Sequence, residues 1–129
     1  MDKFIGKFSP QIYALLRIVT GFLFMCHGLD KLFGCFGGDP PALLSQKGIG
    51  GVIEFLGGLL ILVGFQSAWA AFLCSGLMAA AYWMAHGTKD LFPLNNGGEL
   101  AALYCFAFLF ISARGAGIWS ADAARGGPA

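Results

Sequence analysis

Two histidines, two glutamates and one deeply placed arginine are the residues of this chain best suited to chemistry, and all five fall in or beside long apolar runs. Arg17, His27 and Lys31 lie on the first run and Glu54 on the second. Tyr82 and His86 end the third, and Asn95, Asn96 and Glu99 open the fourth. A charge inside a bilayer is costly and normally faces other protein, so each of these residues is a candidate for ligand binding or proton handling. Histidines and carboxylates at one level could exchange protons with a polar head group. Arg17 needs a carboxylate at its depth, with Glu54 and then Glu99 the expected partners. Such a pair could tune charge or simply lock helix register.

Sharper chemistries are less well supported. Paired histidines on different helices could ligate a haem, but nothing else in the chain supports a porphyrin pocket. Zinc would want further ligands, and no helix carries the H-E-x-x-H spacing, so no metal site is expected. The plainer alternative is a pair of interfacial histidines that hydrogen-bond loop carbonyls. Cys26, Cys35, Cys74 and Cys105 show no C-x-x-C spacing, and three of them sit in apolar runs where a thiol acts as a small hydrophobe. Whether Cys26 and Cys35 form a redox pair is left open.

The elements that must position these groups are membrane spans. The chain has 129 residues, 57% hydrophobic and 12% charged, with a mean hydropathy of +0.72, outside the balance of a soluble domain. A net charge of +1 without a basic cluster excludes a nucleic-acid binder. The expected fold is all-α: a single four-helix transmembrane bundle over residues 1–129, with helices at about 10–32, 48–65, 67–86 and 97–113. Each is near the ~17–25 residues that cross a bilayer, and helices satisfy their own backbone where water is absent. Ser9 before Pro10 reads as a helix start with a capping hydroxyl. Lys3 and Lys7 precede the first run as in a signal peptide, but Leu23, Phe24 and Met25 are too bulky for a cleavage site, so a retained signal anchor is expected.

Connections and charges order the helices. Gly64 to Ser67 is short enough only for a tight hairpin, which puts the longer connections 33–47 and 87–96 together at the other face. Ala42 to Gln46 is expected to form a short interfacial turn. Lys3, Lys7, Arg114 and Arg125 against Lys31, Lys47 and Lys89 place both termini in the cytoplasm by the positive-inside rule. Gly50, Gly57 and Gly64, every seventh residue, and Ala71, Ser75 and Ala79, every fourth, mark close helix contacts. Trp69, Trp83 and Trp119 read as interface anchors. At about 100° per residue, Arg17, Thr20, Phe24, His27 and Lys31 form one seam on the first helix. The candidate groups should therefore meet beneath the extracytoplasmic loops.

Leu15-Leu16-Arg17, His27-Gly28-Leu29-Asp30-Lys31-Leu32-Phe33-Gly34, Glu54-Phe55-Leu56-Gly57-Gly58 and Phe92-Pro93-Leu94-Asn95-Asn96-Gly97-Gly98-Glu99 resemble the DoxX family of small bacterial membrane proteins. The resemblance covers about Leu15 to Asp122. It implies an inner-membrane location and an association with respiratory or sulfur redox systems. Relatives include a membrane subunit of a thiosulfate to quinone oxidoreductase and members of complexes with a sulfurtransferase and superoxide dismutase. Nothing in this chain resembles a large soluble catalytic domain, so a full oxidoreductase would need a soluble redox or sulfurtransferase partner. The leading expectation is a membrane redox component binding a quinone or similar amphiphile in contact with the lipid bilayer. The competing one is a non-enzymatic anchor or scaffold. Transport is weaker, because four short helices give little room for alternating access unless the chain forms a homo-oligomer.

Overall fold

The computed structural model describes residues 3–128; Met1, Asp2 and Ala129, the ends of the expected 1–129 domain, lie outside the described residues. Among the described residues the chain is all-helical, without strands. A 3₁₀ turn at Gly6–Phe8 runs into α1 (Ser9–Phe33), followed by α2 (Gln46–Val63), α3 (Ser67–Ala85), the single turn α4 (Pro93–Asn96), α5 (Glu99–Arg114) and the short α6 (Ala121–Ala124). The helix of α1 and its leading turn, α2 and α3 are long and apolar enough to cross a membrane. With 16 residues, α5 is shorter, about 24 Å at ~1.5 Å per residue.

Boundaries follow local chemistry. Ser9 does not cap α1, because the preceding turn already occupies the position of a cap and Ser9 is itself helical. The start of α2 lies at Gln46, where the Ser45 hydroxyl accepts from the Gly48 N–H at 3.1 Å. It stops at Val63 because Gly64 takes φ 74°, a left-handed conformation that glycine adopts without steric cost. The cap of α3 comes from far along the chain: Asp122 accepts from the Gln66 N–H at 3.0 Å and the Ser67 N–H at 3.3 Å. A carboxylate there meets the positive end of the helix dipole.

Packing is pairwise. The contacts of α1 with α2 are the most extensive, those of α3 with α5 come next, and α2 meets α3 much less despite their tight turn. In the first pair, Gly21 and Gly28 of α1 face Gly58 and Gly51 of α2, and a Cβ on Gly21 would lie 2.6 Å from the Leu62 nitrogen. Bare glycines let the two backbones touch, as small residues do in membrane helix pairs. The expected series Gly50, Gly57 and Gly64 therefore divides among three surroundings. Gly57 abuts Cys74 on α3, Gly64 turns the chain beside Ser120, and Gly50 has open space around it. In the second pair, the Ser75 hydroxyl donates to the Cys105 carbonyl at 2.8 Å.

Aromatic rings join the two pairs. Phe24 lies 5.2 Å from Tyr104 and 4.6 Å from Phe108, ring centre to ring centre, and all three are buried. Large apolar side chains also cover the outside, among them Leu15, Val19 and Phe22 on α1, Phe72 and Leu73 on α3, and Leu103 and Phe106 on α5. Exposed apolar surface of this extent is that of a chain solvated by lipid.

Candidate functional site

The ionisable residues divide between the two ends of the helices. Arg17 is fully buried at the end that holds the α2–α3 turn. Its Nη1 donates to the Ile61 and Leu62 carbonyls at 2.8 Å each, and its Nη2 to the carbonyls of Ile118 at 3.3 Å and Trp119 at 2.7 Å. The expected pairing of Arg17 with Glu54 or Glu99 is thus replaced by a cap on backbone. The reason is topological: α2 runs antiparallel to α1 and brings its terminal carbonyls to the level of Arg17. Of these, Ile61 accepts otherwise only from the capping Gly64 N–H, and the Ile61 and Leu62 carbonyls both carry the negative end of the helix dipole.

Near the other end, Glu54 pairs with Lys31, whose Nζ donates to Oε1 at 2.6 Å. The Glu54 side chain is 4% exposed and that of Lys31 38%, so the ammonium can reach polar surroundings while the carboxylate cannot. The second carboxylate oxygen, Oε2, is buried and has no hydrogen-bond partner. A buried acceptor left unmet is costly, and such exceptions ask for an explanation.

Two cavities meet at this pair. The first, of about 230 Å³, is lined by His27, Lys31, Glu54, His86 and Tyr104, with Phe24 and Met78 completing its apolar wall. The second, of about 440 Å³, lies between α2 and α3 and is lined by Gly50, Leu77, Ala81, Met84 and again Lys31, Glu54 and His86. It occupies the space left where these two helices part. Of the residues singled out in the sequence, His27, Lys31, Glu54 and His86 line the first cavity together. His27 is exposed at its rim, with its ring edge-on to Tyr104 at 6.0 Å.

Tyr82 and Asn96 act one step removed. The Asn96 amide nitrogen donates to the Tyr82 hydroxyl at 3.0 Å and the Asp90 carbonyl at 3.1 Å, while its side-chain oxygen accepts from Gly98 N–H at 2.7 Å. These bonds fix the chain between α3 and α5. The Asn96 carbonyl, 3.0 Å from His86 Nδ1, can only accept, so Nδ1 carries the proton and Nε2 of the neutral ring is left as an acceptor. His86 thus makes the loop-carbonyl bond of the plainer alternative and also lines a cavity. Asn95 and Glu99 are exposed and line neither cavity.

Some contributors carry no sequence signal of chemistry. Met78, Ala81 and Tyr104 line the first cavity but read in the sequence as ordinary apolar helix residues. Asp122, the cap of α3, follows the last apolar run, with no local pattern pointing to a partner at Gln66. All four cysteines are free, with Cys35 exposed and Cys74 buried. Among the described residues, no group of three His, Cys, Asp or Glu side chains is gathered to hold a metal ion.

The family comparison covers three of the four segments that carried the resemblance, and Phe92 to Glu99 lies beyond it. The DoxX family model matches residues 12–87, which include Arg17, Lys31, Glu54 and His86. An uncharacterized protein of Haemophilus influenzae is 40% identical over 128 residues, covering 90% of this chain and 92% of that protein. No solved structure matches the chain.

Proposed function

From the premise that the chain belongs to the DoxX family and is a membrane protein with several apolar helices, we propose that it binds the head group of a quinone-like amphiphile in the cavity at Lys31 and Glu54. In this reading α5 completes a four-helix transmembrane bundle, both termini face the cytoplasm, and the cavity lies toward the extracytoplasmic face of a bacterial inner membrane. The observation that carries the proposal is the buried Glu54 carboxylate with one oxygen unpartnered beside a cavity that ionisable groups share.

Size and lining support an amphiphile. The first cavity is below and the second within the ~300–1,000 Å³ usual for small-molecule sites. A compact ring fits the first, against the wall that the Tyr104 and Phe24 rings form together, while its tail leaves through the second, which methionine, leucine and alanine line. Lys31 pairs with one oxygen of Glu54, the other oxygen of Glu54 holds a polar group of the ring, and His27 and His86 hand protons between the cavity and the loops. A quinone, when bound, would supply two-electron, two-proton carrier chemistry, with the electrons coming from a soluble redox partner.

Equilibrium binding of decylubiquinone and its reduced form, decylubiquinol, to the purified full chain in detergent tests this. Saturable binding of at least one form is expected, with the tighter-binding form losing at least tenfold in Glu54→Ala. No saturable binding by the wild-type chain would overturn the reading, and a protein partner copurifying with that non-binding chain would establish the scaffold instead.

A further inference from the structure

We propose that the cavity selects the reduced, hydroquinone form of its ligand, an aromatic ring with two O–H donors, over the oxidised form; this deepens the reading above and rests on it. The distinction comes from which hydrogen-bonding capacity the protein leaves unspent. Glu54 Oε1 already accepts from Lys31 at 2.6 Å, and Oε2, buried, accepts from nothing. His86 has spent its Nδ1 proton on the Asn96 carbonyl, and Asn96 is itself held by Tyr82, Asp90 and Gly98, so His86 presents an acceptor at Nε2. Around one cavity, Glu54 Oε2 therefore asks for a donor, and Nε2 of the neutral His86 ring, half-buried just past α3, can accept from a second.

A quinone carbonyl cannot answer either of them. Placed against Glu54 Oε2 it sets acceptor against acceptor, whereas a phenolic O–H forms a charge-assisted hydrogen bond to the carboxylate. The terminal torsion of a glutamate is soft, so a small rotation presents Oε2 to a donor in the cavity. Lys31 does not reverse this preference. Its remaining N–H groups belong to a side chain 38% exposed and can be met by water or lipid head groups, while a buried oxygen without a donor stays unmet.

Binding of decylubiquinol, decylubiquinone and the dimethyl ether of decylubiquinol to the full chain, under anaerobic conditions, tests the selection. The quinol should bind at least tenfold more tightly than the quinone, and the dimethyl ether, which keeps the ring and tail but donates nothing, should bind as weakly as the quinone. A tenfold preference for the reduced form raises the midpoint potential of the bound two-electron couple by about 30 mV. In Glu54→Gln, where an amide can donate as well as accept, the quinol-to-quinone ratio should fall toward one. Equal or tighter binding of quinone, or a dimethyl ether that binds like the quinol, overturns the selection and leaves the site standing. Failure of all three probes to bind overturns the site itself. The dimethyl ether arm decides the matter in the wild-type chain even if Glu54→Gln does not fold.

Discussion

Replacing Arg17 with lysine keeps the charge and removes the fork, and so separates the two roles an arginine in a membrane helix can have. The Arg17 guanidinium serves four carbonyls, those of Ile61, Leu62, Ile118 and Trp119. A lysine ammonium is a compact point charge that cannot span both pairs at once. If it satisfies one pair, the other two carbonyls lose a charged donor, at about 1–3 kcal/mol each. Ile61 loses less, since its oxygen also accepts from Gly64 N–H. The net expectation is a destabilisation of about 2–4 kcal/mol. Thermal unfolding in detergent, followed by tryptophan fluorescence, measures it. A double-mutant cycle with Glu54→Gln adds a second reading. Positions 17 and 31 are about 21 Å apart along α1 at ~1.5 Å per residue, and Glu54 pairs with Lys31, so the two effects should add within ~0.5 kcal/mol. Wild-type stability in Arg17→Lys, or a coupling well above that to Glu54, would refute the backbone-cap reasoning.

Lys31→Met should destabilise the chain by about 1–3 kcal/mol, less than a fully buried pair because the lysine is partly exposed, and Lys31→Arg should recover most of it in the same unfolding assay. Gly28→Val should be among the most damaging single changes, about 3 kcal/mol or more, because its Cβ would meet the Phe55 and Gly51 backbone, which has no flexible end to yield. Loss of folded protein in size-exclusion chromatography reads this directly, and a monodisperse, stable Gly28→Val chain would contradict the close approach. Asp122→Ala should cost about 1 kcal/mol through the lost cap on α3, with Asp122→Asn recovering part of it.

Periodicity reached as far as residues on one helix, and failed where the answer depended on what a neighbouring helix brought. The seam of Thr20, Phe24, His27 and Lys31 on α1 was legible because 3.6-residue periodicity is intrinsic to a helix. Helix ends were legible to within about two residues, since Gly34 and Gly64 both take left-handed conformations that stop a helix. The partner of Arg17 was not legible. A buried cation invites a carboxylate by residue type, but terminal carbonyls and their dipole are present in every helix and leave no mark in the sequence. The glycines met the same limit. Gly50, Gly57 and Gly64 share a spacing, yet α2 has α1 on one side and α3 on another, and Gly51 and Gly58, one position on from Gly50 and Gly57, face α1. Tyr104 and Met78 acquire a role only from the cavity between helices, which no single helix encodes.

The arrangement of contacts also bears on whether the cavity is a site or a path. At the end with the α2–α3 turn, Arg17 through both terminal nitrogens, Tyr13 and Asp122 bond backbone groups, so these three side chains tie segments together. Between that end and the cavity, Phe24 and Phe108 are 1% and 0% exposed and pack ring against ring with Tyr104. A solute passing through the chain would have to displace this stack, whose ring pairs contribute about 0.5–1.5 kcal/mol each beyond their burial, and then dislodge the guanidinium that closes α2. The second cavity lies between α2 and α3, whose contact is slight beside that of the α1–α2 pair. Physical closure below the Lys31–Glu54 pair and a cavity between helices beside it support the proposed binding over conduction across the chain.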